Sequence, residues 1–129
     1  MKKKALALLV NDLHITQDNI VEFNKNWGEA VDICVKNEIN DIVIGGDVFT
    51  ARASQTLPVL LAVKNAFMFA TTKGLNLTIA YGNHDCPNSK AILSYCHLYD
   101  TMDGVEVIDT FDRINWNSDI QLCVISYFP

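Results

Sequence analysis

Three short stretches of this chain carry residue types that bind metal ions: Asp12-Leu13-His14, Gly45-Gly46-Asp47 and Gly82-Asn83-His84-Asp85. A carboxylate and an imidazole two positions apart can both ligate one divalent ion as the backbone leaves a strand. The Asp47 carboxylate has two oxygens and can bridge to a second ion roughly 3.5–4 Å away. Asn83 offers a neutral amide oxygen that holds a metal without adding charge. Gly45, Gly46 and Gly82 let the backbone turn sharply and come close to the ions with no Cβ in the way. Such a pair of ions can lower the pKa of bound water and stabilise the attacking and leaving oxygens of a phosphoryl displacement. Taken singly each stretch is ordinary, and Gly-Gly-Asp is common turn chemistry. Their order, each at the end of an apolar run, is what points to one site.

The elements that must position these residues follow from the hydrophobic pattern. Ala5 to Val10 is a continuous apolar run, as for a strand buried on both faces. From Asp18 to Asn37 the residues Ile20, Phe23, Trp27, Val31, Cys34 and Val35 recur at three- and four-residue steps, which predicts an amphipathic helix capped by Thr16 or Asp18. Asp41 to Gly45 is a second strand, rich in β-branched residues. Thr56 to Lys73 reads as a second helix, with Pro58 in its first turn and Gly74 ending it. Leu75 to Tyr81 is a third strand, and a third helix is expected from Asn88 or Ser89 to about Asp100. Val105 to Ile108 and Gln121 to Tyr127 are late strands, and Asn117-Ser118-Asp119 reads as the turn of a hairpin. The alternation predicts an α/β fold with a mainly parallel sheet flanked by helices. In such sheets ligands collect beyond the carboxyl ends of the strands, where all three stretches lie.

Composition narrows the class. A chain of 129 residues, 50% hydrophobic, is long enough for one core. Its 10 Lys and Arg against 15 Asp and Glu give a net charge of -5, which argues against coating nucleic acid by general basicity. It argues less against a nuclease, because acidic ligands become electropositive once cations load. Cys34, Cys86, Cys96 and Cys123 show no CxxC spacing and are read as reduced thiols of an intracellular, cytoplasmic protein. Lys2, Lys3 and Lys4 precede only ~6 apolar residues, short of a secretory signal. No stretch approaches the ~18 apolar residues of a membrane span.

The three stretches resemble the calcineurin-like metallophosphoesterase family, whose pattern runs DxH, GDxx(D), GNH(D/E) and then two later His-bearing segments. Asp12-Leu13-His14, Gly46-Asp47-Val48-Phe49 and Gly82-Asn83-His84-Asp85 match the first three. The resemblance implies that Asp12 and His14 ligate one metal, Asp47 bridges and Asn83 ligates the second. It makes His84 the catalytic histidine, contacting the scissile phosphate or protonating the leaving group. Gly46-Asp47-Val48-Phe49 and the closing Val124-Ile125-Ser126-Tyr127-Phe128-Pro129 are most similar to the SbcD-type DNA-repair exonuclease subunits and their phage relatives. That branch implies two manganese ions, DNA as substrate, a homodimer and a coiled-coil ATPase partner. Other phosphatases or phosphodiesterases of the family, and a non-catalytic scaffold of the same fold, are the alternatives.

Two departures qualify the match. Thr50 stands where the nucleases often carry Asp, so a carboxylate that would orient the histidine is missing. The later histidine segments are absent as well, and His97, the remaining histidine, reads as structural. The expectation is therefore the N-terminal part of a single phosphoesterase domain, half of a β-sandwich cut after Pro129, binding metal weakly and turning over slowly or not at all by itself. Arg52 can meet a substrate phosphate through its planar fork or be a solvated loop residue. Asp85 can orient the His84 loop or cap the next helix. Lys90 reads as a surface residue. Cys86, beside the site, carries a soft thiol that manganese does not favour, and is not counted as a ligand.

Overall fold

The computed structural model describes residues 3–127. Lys2, Phe128 and Pro129, used above, lie outside the described residues. Strands β1 (Ala7–Val10), β2 (Asp41–Gly45), β3 (Asn76–Ala80) and β4 (Val105–Ile108) pair in parallel and in chain order. Helix α1 (Ile20–Lys36) links β1 to β2, and α2 (Leu57–Thr72) links β2 to β3. Because right-handed crossovers step the same way each time, both helices fall on one face of the sheet. This is the predicted α/β architecture of a mainly parallel sheet flanked by helices.

The core explains why the helices sit there. Phe23, Trp27, Val31 and Cys34 are the buried residues of α1, spaced to form one stripe. They meet Val59, Val63, Ala66 and Phe67 of α2 above Ile42, Ile44, Leu77 and Ile79 of the sheet. Trp27 locks the two helices together: its ring lies 6.2 Å from Phe23 and 5.9 Å from Phe67, and its indole N–H donates to the Ala66 carbonyl at 2.7 Å. Gly74, at φ +84°, ends α2 in the left-handed conformation that glycine adopts without strain.

The opposite face is thinly covered. An antiparallel hairpin, β5 (Phe111–Asn115) and β6 (Gln121–Ile125), packs Val124 on Ala80 and Ile108, with Ile114 and Leu122 at the rim. Towards β1 it leaves an open cleft, which Leu9 and Val10 line together with Leu122 and Val124. Leu9 is consequently 63% exposed, and β1 is not buried on both faces as its apolar run suggested. As an edge strand, it has helices over one side only. The turn at Asn117 is present, with Asn117 Oδ1 accepting from the backbone N–H of Asp119 and Ile120. Its near-side partner β5 went unmarked in the sequence because the run from Phe111 carries Asp112 and Arg113 and alternates poorly.

The predicted third helix is absent. Residues 86–94 form turns, and only a 3-10 segment, Tyr95–Tyr99, follows. Side chains there bond their own backbone: Asn88 Oδ1 accepts from the Lys90 N–H, and Ser94 Oγ accepts from the Cys96 N–H. These local bonds compete with helix. Ile92 and Leu93, within that span, are exposed. At the other end, the α1 start is divided: Thr16 caps a short 3-10 turn at Gln17–Asn19, and α1 itself begins at Ile20.

Trp27→Phe removes the indole donor and keeps the ring contacts, so it should cost about 1 kcal/mol. Trp27→Ala should cost about 3–5 kcal/mol. Urea unfolding midpoints measure both, and equal losses would contradict a hydrogen bond that adds to ring packing.

Candidate metal centre

The loops leaving β1 and β2 stay paired beyond the strands. Asp12 N–H donates to the Gly46 carbonyl at 3.0 Å, His14 N–H to Asp47 at 3.1 Å, and Ile15 N–H to Val48 at 2.9 Å. Within this zipper the backbone is kinked. Asp12, His14 and Asp47 take φ of 55°, 47° and 53°, in the left-handed region where a side chain is unfavourable. Gly46, at φ +107°, takes the one position in the cluster that suits glycine. Three strained non-glycine residues side by side persist only where the surroundings over-determine them.

The kinks converge the side chains. Asp12, His14 and Asp47 offer ligand atoms that all lie within 4.8 Å of one another. His14 Nε2 stands 3.7 Å from Asp12 Oδ1, and the His84 ring meets the His14 ring edge-on with centroids 5.6 Å apart. The donors are carboxylate oxygen and imidazole nitrogen, a set that suits magnesium, manganese or zinc. These residues fit a divalent cation. Asn83 opens the 3-10 turn Asn83–Asp85 and is half-buried between Gly82 and His84.

The third loop is pressed against the second. His84 N–H donates to Asp47 Oδ1 at 3.2 Å. A Cβ on Gly82 would stand 2.1 Å from that same Asp47 oxygen and 2.7 Å from the Asp47 backbone nitrogen, so only glycine permits the approach. Asp85 joins the two loops from below. Fully buried, it accepts the Phe49 N–H on Oδ1 at 2.9 Å and the Gly82 N–H on Oδ2 at 2.8 Å. Burial pushes its carboxyl up to about 6, while the two backbone donors pull the other way. It remains mostly ionised at neutral pH and can accept both bonds. Asp85 thus bonds to both loops, and the residues that follow it, 86–94, form turns and not a helix.

His84 is oriented by backbone. Its Nδ1 lies 2.8 Å from the Thr50 carbonyl, which can only accept, so Nδ1 carries the hydrogen and Nε2 is left free. The acceptor at position 50 is thus a main-chain oxygen, which any residue supplies. Arg52 follows Thr50 on the same loop. Its Nε and Nη2 are buried without a hydrogen-bond partner among the described residues, while its carbonyl accepts from the Tyr95 hydroxyl. Cys86 is buried, and burial pushes its thiol up, which keeps it protonated and unsuited to ligation. His97 is structural: Nδ1 accepts from the Ser94 N–H at 2.9 Å, and Nε2 meets Asp109 at 2.7 Å.

Ser126 escaped sequence reasoning. It is buried, its hydroxyl donates to the Ile108 carbonyl and accepts from the Tyr81 N–H at 3.2 Å, and Tyr127 N–H donates to Tyr81 at 2.8 Å. These bonds fix the end of β3 immediately before Gly82. The only signal was a serine inside an otherwise apolar run.

Asp85→Asn leaves one acceptor oxygen and turns an amide N–H₂ toward a backbone N–H. It should lower stability by about 1–3 kcal/mol and weaken manganese binding, read by urea unfolding and by metal titration. An unchanged unfolding midpoint would show that Asp85 does not hold the loops.

No family model matches the chain, and no curated protein does. Among solved structures, the chain is similar to the crystal structure of Pseudomonas putida nuclease MPE, with a TM-score of 0.53 and 22% identity over 81% of this chain. The match covers 48% of that nuclease, so the chain spans about half its length. At this identity the likeness shows a shared fold.

Proposed function

We propose that the chain contributes a two-metal, manganese-dependent phosphodiester hydrolase site acting on DNA. The observation that carries the reading is the convergence of Asp12, His14 and Asp47 at the carboxyl ends of two adjacent parallel strands, with His84 against His14. Asp12 and His14 would hold the first ion, Asp47 would be shared, and Asn83 would offer its amide oxygen to the second. Bound there, divalent cations supply Lewis-acid stabilisation of the charge that develops on phosphoryl oxygens. The chain's own contribution is position and proton handling. With Nδ1 held by Thr50, His84 presents Nε2 to a phosphate oxygen, or in its protonated form gives a proton to the leaving oxygen. Arg52 is the cation nearest in sequence to the Asp47 loop, and pairing with a substrate phosphate would require its buried Nε and Nη2 to turn outward.

The nuclease named in the structural comparison and the ordered motifs support nucleic acid over a phosphoprotein. Function in DNA repair or recombination, with a coiled-coil ATPase subunit, extends the same reading. A second copy is proposed to cover α2. That helix buries Val59, Val63 and Phe67 on one side, yet leaves Leu57, Leu61 and Met68 exposed along the other. Exposed Lys64 and Asn65 share that outward face, so the contact proposed is mixed, with apolar side chains around a polar pair. No helix among the described residues is long and apolar enough to cross a membrane.

Asp47→Ala should abolish manganese-dependent hydrolysis of a phosphodiester. His84→Ala should retain manganese binding and lower kcat by about 10²–10⁴-fold. Parallel assays on DNA and a phosphoserine peptide check the substrate. Undiminished hydrolysis by Asp47→Ala would refute the site, and preferred cleavage of the peptide would assign it to phosphatase chemistry.

A further inference from the structure

A cleft of about 300 Å³ opens directly beside the metal centre and shares Asp12 with it. Its apolar part is Leu13 and Phe23, and its polar wall is Asn19, Glu22 and Asn26. Asn19 precedes α1, and Glu22 and Asn26 follow at steps of three and four, so all three line one helical face. Asn19 is spoken for: its Oδ1 accepts from the Thr16 N–H at 2.8 Å, and its Nδ2 donates to the His14 carbonyl at 3.1 Å. The same side chain thus stiffens the ligand loop and forms the near end of the cleft. Glu22 is exposed and makes no ion pair among the described residues.

We infer that this cleft takes the nucleobase attached to the phosphate bound at the metals, and that it prefers a base with an exocyclic amine. The inference rests on the phosphodiesterase reading above. A carboxylate wall repels phosphate and solvates poorly against a carbonyl edge, so the charged part of a nucleotide belongs at the cations and its neutral ring beside Glu22. Carboxylates accept from amino groups such as cytosine N4, and an amide such as Asn26 both donates and accepts, as adenine N6 and N7 require. Thymine presents two carbonyls and a single N–H. The volume is at the lower end of small-molecule sites and suits a single ring system with its sugar at the mouth.

The test is a nuclear magnetic resonance titration of the full chain, with manganese replaced by magnesium to keep the signals sharp. The ligands are deoxycytidine, thymidine and their 5′-monophosphates. Deoxycytidine should bind about tenfold more tightly than thymidine, with shifts at Glu22 and Asn26. Each monophosphate should gain affinity over its nucleoside only when magnesium is present. Glu22→Gln and Asn26→Ala should erase the base preference and leave the phosphate gain intact. Equal binding of deoxycytidine and thymidine, or a preference that survives both substitutions, overturns the cleft assignment. A base preference with no magnesium-dependent phosphate gain supports the cleft and sinks the metal reading instead.

Discussion

A carboxylate with no solvent around it is held in this molecule by two main-chain N–H groups from different loops, those of Phe49 and Gly82. An ionised carboxylate in this position depends on those two donors to offset the loss of water. The loop that carries Asp47 and the loop that carries Asn83 and His84 are therefore joined through one side chain. What the site can do depends on that joint. It seats the His84 N–H on Asp47 and brings the ring of His84 to His14.

Such a joint is required because the ligand loops are locally unfavourable. Left-handed backbone at Asp12, His14 and Asp47 costs on the order of 1–2 kcal/mol per residue. The compensation comes from outside: the continued ladder between the two loops, the buried Ile15, Val48 and Phe49 beneath them, and the sheet that fixes where they start. Glycine at 46 and 82 then removes the two Cβ atoms that would hold the loops apart. Strain at the ligands and close packing below them are two sides of one arrangement.

The parts of this arrangement legible in the sequence are those governed by strong local signals. Asp41 to Gly45 was readable as a strand because three β-branched residues in a row have few other homes, and Pro58 and Gly74 bracketed α2 by their backbone chemistry. The three candidate stretches could be assigned to strand ends because each follows a short apolar run. What could not be read depends on distant partners. The open side of β1 at Leu9 follows from the reach of a hairpin some hundred residues away along the chain. The segment after Asp85 has enough apolar residues for a helix, but side-chain bonds from Asn88 and Ser94 win over it. The carbonyl that orients His84 leaves no trace in residue types, because any residue at position 50 supplies one.

The central claim, that a cation sits between the first two ligand loops, is tested most directly by paramagnetic broadening. Substoichiometric manganese is added to the ¹⁵N-labelled chain and each amide signal is followed. Signals of Asp12, His14, Asp47 and His84 should vanish first, while those at the far end of the sheet remain. Broadening centred on other acidic residues, such as Asp100 and Asp103, with the four loop signals unchanged, would contradict it.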